Sequence, residues 1–113
     1  MNEKEFFTFL DNSKQAVLNE IQSLTDDGRK DEANILKAKS NVYDICKSIY
    51  NALAKEAPAD VITAFPATFD RITCPWKASL EAAKAHVDDR KILIEEAKLS
   101  AVSEITAKFA ELA

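Results

Sequence analysis

One stretch of the sequence constrains the fold more than any other. Its apolar and small residues recur in steps of three and four from Pro75 to Leu112, and side chains at that spacing lie on one face of an α-helix. No glycine interrupts the stretch, and its only proline stands at the first position, where a helix tolerates it. At 1.5 Å per residue the predicted helix is roughly 57 Å long. A helix of that length needs other helices, or a second chain, to cover its apolar face.

The rest of the composition agrees with a helical protein. The chain of 113 residues has one glycine and three prolines, which leaves few positions for the tight turns of β-hairpins. Hydrophobic residues make up 47% of the chain and charged residues 30%, which is typical of a globular domain. We therefore predict one all-α domain spanning residues 1–113.

Apolar periodicity and helix-end signals predict an antiparallel bundle of three main helices, at about 3–27, 29–56 and 75–112. Gly28 fits the left-handed position that ends a helix, and the short turn makes the first two helices antiparallel. Residues 59–73 keep helical spacing but contain Pro66, so we predict a short kinked helical connector there. The long third helix should then run back antiparallel to the second and extend beyond it around residues 105–112.

The run from Gly28 to Ala33 resembles the turn between the two helices of a tetratricopeptide repeat. In that repeat a glycine is followed a few positions later by an alanine that packs on the preceding helix. No period of about 34 residues follows in this sequence, and the predicted helices are too long for such a unit. The resemblance therefore supports a helical hairpin and carries no function with it.

The leading functional hypothesis comes from the excess length of the third helix. Its C-terminal half carries apolar residues that one chain should leave uncovered, and two-fold dimers are the commonest way to cover such a surface. We therefore predict a non-enzymatic protein-interaction or oligomerisation domain that forms a homodimer or binds another protein. The predicted interface residues are Ile92, Leu99, Val102, Ile105, Phe109 and Leu112.

Two other functions have support in the sequence. Aromatic residues near the predicted connector indicate a pocket of a small-molecule-binding module or enzyme, lined by Tyr43, Tyr50, Phe65, Phe69 and Trp76. The formal net charge of −4 at pH 7 indicates instead an acidic inhibitor that covers a basic surface on another protein.

Charged residues interrupt the apolar stripes of two predicted helices. Lys39 lies on the stripe of the second helix, and Arg90 lies near the middle of the stripe of the third. Such a polar layer either specifies the register of a bundle or surrounds an anion, and a lysine there also reaches solvent with its ammonium group.

No residue pattern for catalysis, a metal or a cofactor is present. The single histidine, His86, has no partner at metal-ligand spacing, and one glycine is too few for a phosphate-binding loop. Cys74 and His86 would lie roughly 18 Å apart on one helix, beyond hydrogen-bond reach. We predict no enzyme activity, no metal and no cofactor.

Charge and hydropathy predict which partners and which cellular location suit the chain. The 19 acidic and 15 basic residues form no basic run that would bind nucleic acid. No window has the roughly 18 consecutive apolar residues of a membrane span, and the first residues do not resemble a signal peptide. Cys46 and Cys74 are expected to be free thiols of a cytoplasmic protein.

Overall fold

The computed structural model describes residues 1–113 and contains four long helices and no strand. The helices are α1 (Glu3–Asp26), α2 (Lys30–Glu56), α3 (Val61–Ala85) and α4 (Asp89–Leu112), with one 3₁₀ turn at Pro58–Asp60. The predicted all-α fold is confirmed. The predicted bounds of the first two helices agree with α1 and α2 to within one residue at each end.

Local hydrogen bonds explain how the first hairpin begins and turns. The Asn2 side chain accepts a hydrogen bond from the Glu5 N–H at 3.0 Å, which caps the first turn of α1. Gly28 has a φ of 77°, and the Arg29 N–H donates to the Leu24 carbonyl at 2.8 Å. This pairing ends a helix with a left-handed residue and returns the chain antiparallel, as the sequence predicts.

The prediction of one helix over residues 75–112 is wrong. The chain turns at residues 86–88, where Val87 adopts a left-handed φ of 52°. The Asp88 N–H donates to the Ala83 carbonyl at 2.9 Å, and the Asp88 side chain accepts from the Lys91 N–H at 3.2 Å. The same backbone hydrogen bond as at Gly28 therefore ends α3, with a valine in the position that usually holds glycine. The Asp88 cap of α4 has no counterpart in the first turn, because Arg29 makes no side-chain cap bond.

The kinked connector over residues 59–73 is also wrong, because those residues form the first half of α3. The helix continues through Pro66 and Pro75, each of which leaves the carbonyl four residues earlier without its N–H donor. Both proline rings are exposed. The same helix buries Phe65 and Phe69, and this burial offsets the cost of the prolines.

Helix α2 is the central element and packs against all three others. The turn at residues 86–88 makes α4 antiparallel to α3 and therefore parallel to α2. Contacts between side chains follow this direction, since Lys39 reaches Ser100 and Tyr43 reaches Glu104. The helix that runs antiparallel to α2 is thus α3, and α4 runs parallel to α2.

The core is richest in aromatic side chains at one end of the molecule. The Phe65 ring lies 4.6 Å from the Phe109 ring and 5.3 Å from the Phe69 ring, measured between centroids. Phe6 packs edge-on against Phe109 at 5.3 Å. The predicted extension of the last helix beyond its neighbours is therefore wrong, because Phe109 at that end of α4 is buried among these aromatic rings.

Candidate functional site

The structure covers most of the predicted interface. Ile105 and Phe109 are 0% and 3% exposed, and the other four predicted residues are half-buried, namely Ile92, Leu99, Val102 and Leu112. Because the chain folds back at residues 86–88, α2 and α3 cover the apolar face that a single long helix would have left open. The interface prediction assumed an uncovered apolar stripe on the last helix, and the folded chain covers that stripe itself.

The predicted aromatic pocket is divided between several parts of the molecule. Phe65 and Phe69 lie side by side on α3 and line one apolar pocket of the chain. Tyr50 is buried with its ring centroid 5.9 Å from that of Phe65, but it does not line the pocket. Tyr43 is buried elsewhere between α2 and α4, and Trp76 is half-buried one turn beyond the pocket. Only two of the five predicted residues therefore contribute to a common site.

This pocket is an apolar groove between α3 and α4, with a volume of about 210 Å³. It is called the α3–α4 groove below. Its lining residues on α3 are Ile62, Phe65, Pro66, Phe69, Asp70 and Thr73. Its lining residues on α4 and at the end of the chain are Val102, Thr106, Phe109, Ala110 and Ala113.

The groove exists because aromatic residues on α3 face small residues on α4. Thr106 and Ala110 are too short to fill the space beside Phe65 and Phe69, and both are exposed at the rim. The sequence signal for this gap is the run of small residues at steps of four and three that ends at Ala113. Val102 and Phe109 from the predicted interface thus meet two residues of the predicted pocket in one place.

Few polar groups face the groove. The buried Thr73 hydroxyl donates to the Phe69 carbonyl at 2.9 Å within α3, so its donor is satisfied. Asp70 is the only ionisable side chain of the lining, and it is exposed and forms no ion pair within the chain. The arrangement suits an apolar group that carries a positive charge beside it.

The two buried tyrosines connect helices. The Tyr43 hydroxyl donates to Glu104 Oε2 at 2.7 Å, and the Tyr50 hydroxyl donates to Glu3 Oε2 at 3.0 Å. Burial first, and then the bond to Glu104 and its charge, raise the pKa of Tyr43 well above its usual 10.0. Burial, and then the bond to Glu3 and its charge, raise the pKa of Tyr50 to about 12. Both hydroxyls are therefore held neutral as donors.

The two residues of the predicted polar layer lie apart. Half-buried Lys39 places its Nζ 3.3 Å from Ser100 Oγ and 3.4 Å from Glu104 Oε1. Arg90 is exposed on the first turn of α4. Lys39 thus joins Tyr43 and Glu104 in linking α2 to α4, and Arg90 takes no part in that contact.

Sequence reasoning missed the most buried charged residue. Glu95 is 6% exposed; its Oε1 lies 3.2 Å from Lys98 Nζ, and its Oε2 has no hydrogen-bond partner. Lys98 Nζ also lies 4.3 Å from the centre of the Trp76 ring on α3. The only signal in the sequence is that Glu95 lies four positions before Leu99 and seven before Val102, on the α4 face that meets α3.

The thiols and the histidine are widely separated. Cys46 is buried, which raises the pKa of its thiol to about 12, and Cys74 is exposed near the middle of α3. His86 is exposed at the end of the same helix. No three His, Cys, Asp or Glu side chains are grouped so that they could hold a metal ion.

Comparisons with protein families, with curated proteins and with solved structures found no match to this chain. None of the four helices has the length and apolar character needed to cross a membrane.

Proposed function

We propose that this chain is a protein-interaction domain that accepts one or two bulky apolar side chains of a partner helix in the α3–α4 groove. The observation that carries the proposal is the groove itself, an apolar space of about 210 Å³ between Phe65, Phe69 and the small residues of α4. Helices that bind in grooves present apolar anchors at helical spacing, and an open groove between two helices matches that shape.

The charge near the groove defines the partner further. Asp70 is free at the rim, and the whole chain carries a formal net charge of −4. A lysine or arginine next to the apolar anchor would pair with Asp70 and speed the encounter with an acidic protein. A basic partner of this kind agrees both with the predicted protein-interaction domain and with the net negative charge that led to the predicted inhibitor. A cytoplasmic location is proposed with it, supported by the two free thiols.

A small apolar molecule is the second candidate for the same groove. Its volume exceeds the roughly 150 Å³ of an apolar cavity that holds benzene, but it falls below the roughly 300–1,000 Å³ of most ligand pockets. The lining also lacks the several convergent polar groups that orient a metabolite. These comparisons favour the side chain of a protein over a free ligand.

The proposal is tested by selecting peptides from a displayed library of amphipathic helices. We expect the selected peptides to share a large apolar residue with Lys or Arg beside it. Thr106→Arg puts a long charged side chain across the exposed rim of the groove, and we expect it to weaken binding at least roughly tenfold. Asp70→Asn should weaken binding less, and mainly at low ionic strength.

Ser103→Arg is the matched control, because Ser103 is exposed on the same helix and does not line the groove. It should leave peptide binding unchanged. Recovery of no peptide, or equal binding to the wild type and to Thr106→Arg, would refute the proposal. Binding of an indole-sized fragment without any peptide would refute it in favour of the second candidate.

A further inference from the structure

We propose that two copies of this chain exchange α4 by opening the turn at residues 86–88, so that α3 and α4 join into one continuous helix. Each α4 would then pack in the core of the other copy. The partner in this interaction is a second copy of the same chain. The inference is independent of the proposed function, because the α3–α4 groove would be rebuilt from α3 of one copy and α4 of the other.

The first observation is the strained backbone at Val87. Its φ of 52° lies in the left-handed region, where a β-branched side chain crowds the backbone. The side chain is 75% exposed, so burial gives little in return for that conformation. A helical φ at this residue would remove the strain, and it would also join α3 to α4.

The first hairpin shows that the strain is specific to the second turn. Gly28 and Val87 occupy equivalent positions, since the residue after each donates to the carbonyl five residues earlier, at 2.8 Å and 2.9 Å. Glycine adopts the left-handed conformation without cost, and valine does not. Opening the turn at Val87 relieves strain, whereas opening the turn at Gly28 places a poor helix former inside a helix.

The second observation is that the sequence across the turn is compatible with one helix. No glycine or proline occurs between Trp76 and Leu112, and apolar residues follow helical spacing throughout. The sequence across the turn is therefore compatible with the continuous helix that the exchange requires, although the single chain turns at residues 86–88.

The third observation concerns the contacts that α4 loses when it leaves the core of its own chain. Ala101 and Ile105 have no exposed surface, and Phe109 is 3% exposed in the aromatic cluster. Only another copy of this chain offers the same complementary surface, together with the Tyr43–Glu104 hydrogen bond and the Lys98–Trp76 contact. An exchanged dimer recovers each of these contacts and changes only the turn, which is the condition that makes exchange inexpensive.

Asp88 opposes the exchange. Its side chain accepts from the Lys91 N–H and so caps α4, and this bond is lost when the helix becomes continuous. The equilibrium between the two forms is therefore set by two adjacent residues with opposite effects. Substitution of each residue shifts the equilibrium in a different direction.

The first experiment measures the monomer–dimer equilibrium after refolding the full chain at high concentration, with mass determined by light scattering. Val87→Gly should raise the dimer dissociation constant roughly tenfold for each of the two turns, and roughly a hundredfold in total. Asp88→Ala should lower it roughly tenfold or more. Ser103→Gly is the matched control, because this glycine is helical in both forms and should leave the constant unchanged.

The second experiment distinguishes exchange from ordinary association. Asp70 and Thr106 line the same groove in the single chain, whereas a continuous helix places them roughly 54 Å apart within one chain. Labels are attached at Asp70→Cys and Thr106→Cys in a Cys74→Ser background, and the labelled chain is refolded with excess unlabelled chain. The dimer should show the long distance within one chain and a particle longer than the 46 Å of the monomer.

Three results would overturn the inference. They are the absence of any dimer, a dimer that keeps the short distance within each chain, and an equilibrium that Val87→Gly and Asp88→Ala leave unchanged. Circular dichroism of each variant shows that it has folded, so a missing dimer is not confused with an unfolded chain.

Discussion

Glu95 is buried with an incompletely paired carboxylate. Its Oε1 contacts Lys98, but its Oε2 has no donor, and an unsatisfied buried oxygen costs about 1–3 kcal/mol. Glu95→Leu should therefore raise the free energy of unfolding by about 1 kcal/mol and Tm by about 4 °C. Lys98 keeps its contact with Trp76 in this variant, so no isolated charge is left behind. Thermal unfolding followed by circular dichroism measures the change.

The neighbouring Glu96 provides the control, because it is exposed on the other side of the same helix. Glu96→Leu should change the free energy of unfolding by less than about 0.5 kcal/mol. A Glu95→Leu variant that is less stable than the wild type would show that the carboxylate supports the contact between α3 and α4.

The two helical turns form a matched pair. Gly28 has open space where a Cβ would lie, so a side chain there meets no clash and only the positive φ resists it. Gly28→Val should lower the free energy of unfolding by about 1–2 kcal/mol. Val87→Gly should raise the free energy of unfolding by about 1 kcal/mol. The greater conformational entropy of glycine in the unfolded chain reduces this gain.

Urea unfolding of the monomer at low concentration measures both changes. The strain at residue 87 has two possible causes, the β-branch and the presence of any Cβ at a positive φ. Val87→Ala separates them, because it removes the β-branch and keeps the Cβ. It should recover only part of the gain of Val87→Gly. Equal stability of the wild type, Val87→Gly and Val87→Ala would contradict a strained turn.

The helix ends also show what local signals predict. Gly28 ends α1 as expected, and the bounds of α1 and α2 follow from caps and periodicity. The end of α3 was missed because Val87 gives no turn signal, although Asp88 is an acceptable cap for a following helix. Pro66 and Pro75 produced the opposite error, since each is a helix breaker that packing and exposure make tolerable within α3.

Three buried groups, two tyrosine hydroxyls and one thiol, lower the stability of the folded chain at alkaline pH. The pKa of the Cys46 thiol rises from 9.0 to about 12 and that of Tyr50 from 10.0 to about 12, and that of Tyr43 rises also. The unfolded chain therefore releases these protons at lower pH than the folded chain. The stability from these groups is complete below the unfolded values, and it is lost as the pH rises from 9.0 towards 12.

We expect the urea midpoint of the wild type to fall through that range. At neutral pH, Tyr50→Phe should be less stable by about 1 kcal/mol, because the hydrogen bond to Glu3 is lost. The difference should narrow as the pH rises, since phenylalanine has no proton to release. Tyrosinate absorbance should rise together with the loss of helicity, and early ionisation in an intact helical protein would contradict the prediction.

The all-α fold and the first helical hairpin follow from local signals, because helical periodicity, caps and a glycine turn act between neighbouring residues. The sequence also identified Phe65, Phe69, Val102 and Phe109, but it assigned them to two different sites. Packing between distant helices brought them into one groove. The free energy of that packing offsets the backbone strain at Val87 and the hydrogen bonds that the prolines remove from α3. No local signal predicts those features, since the burial of Phe109 and Ile105 that stabilises them appears only when all four helices are together.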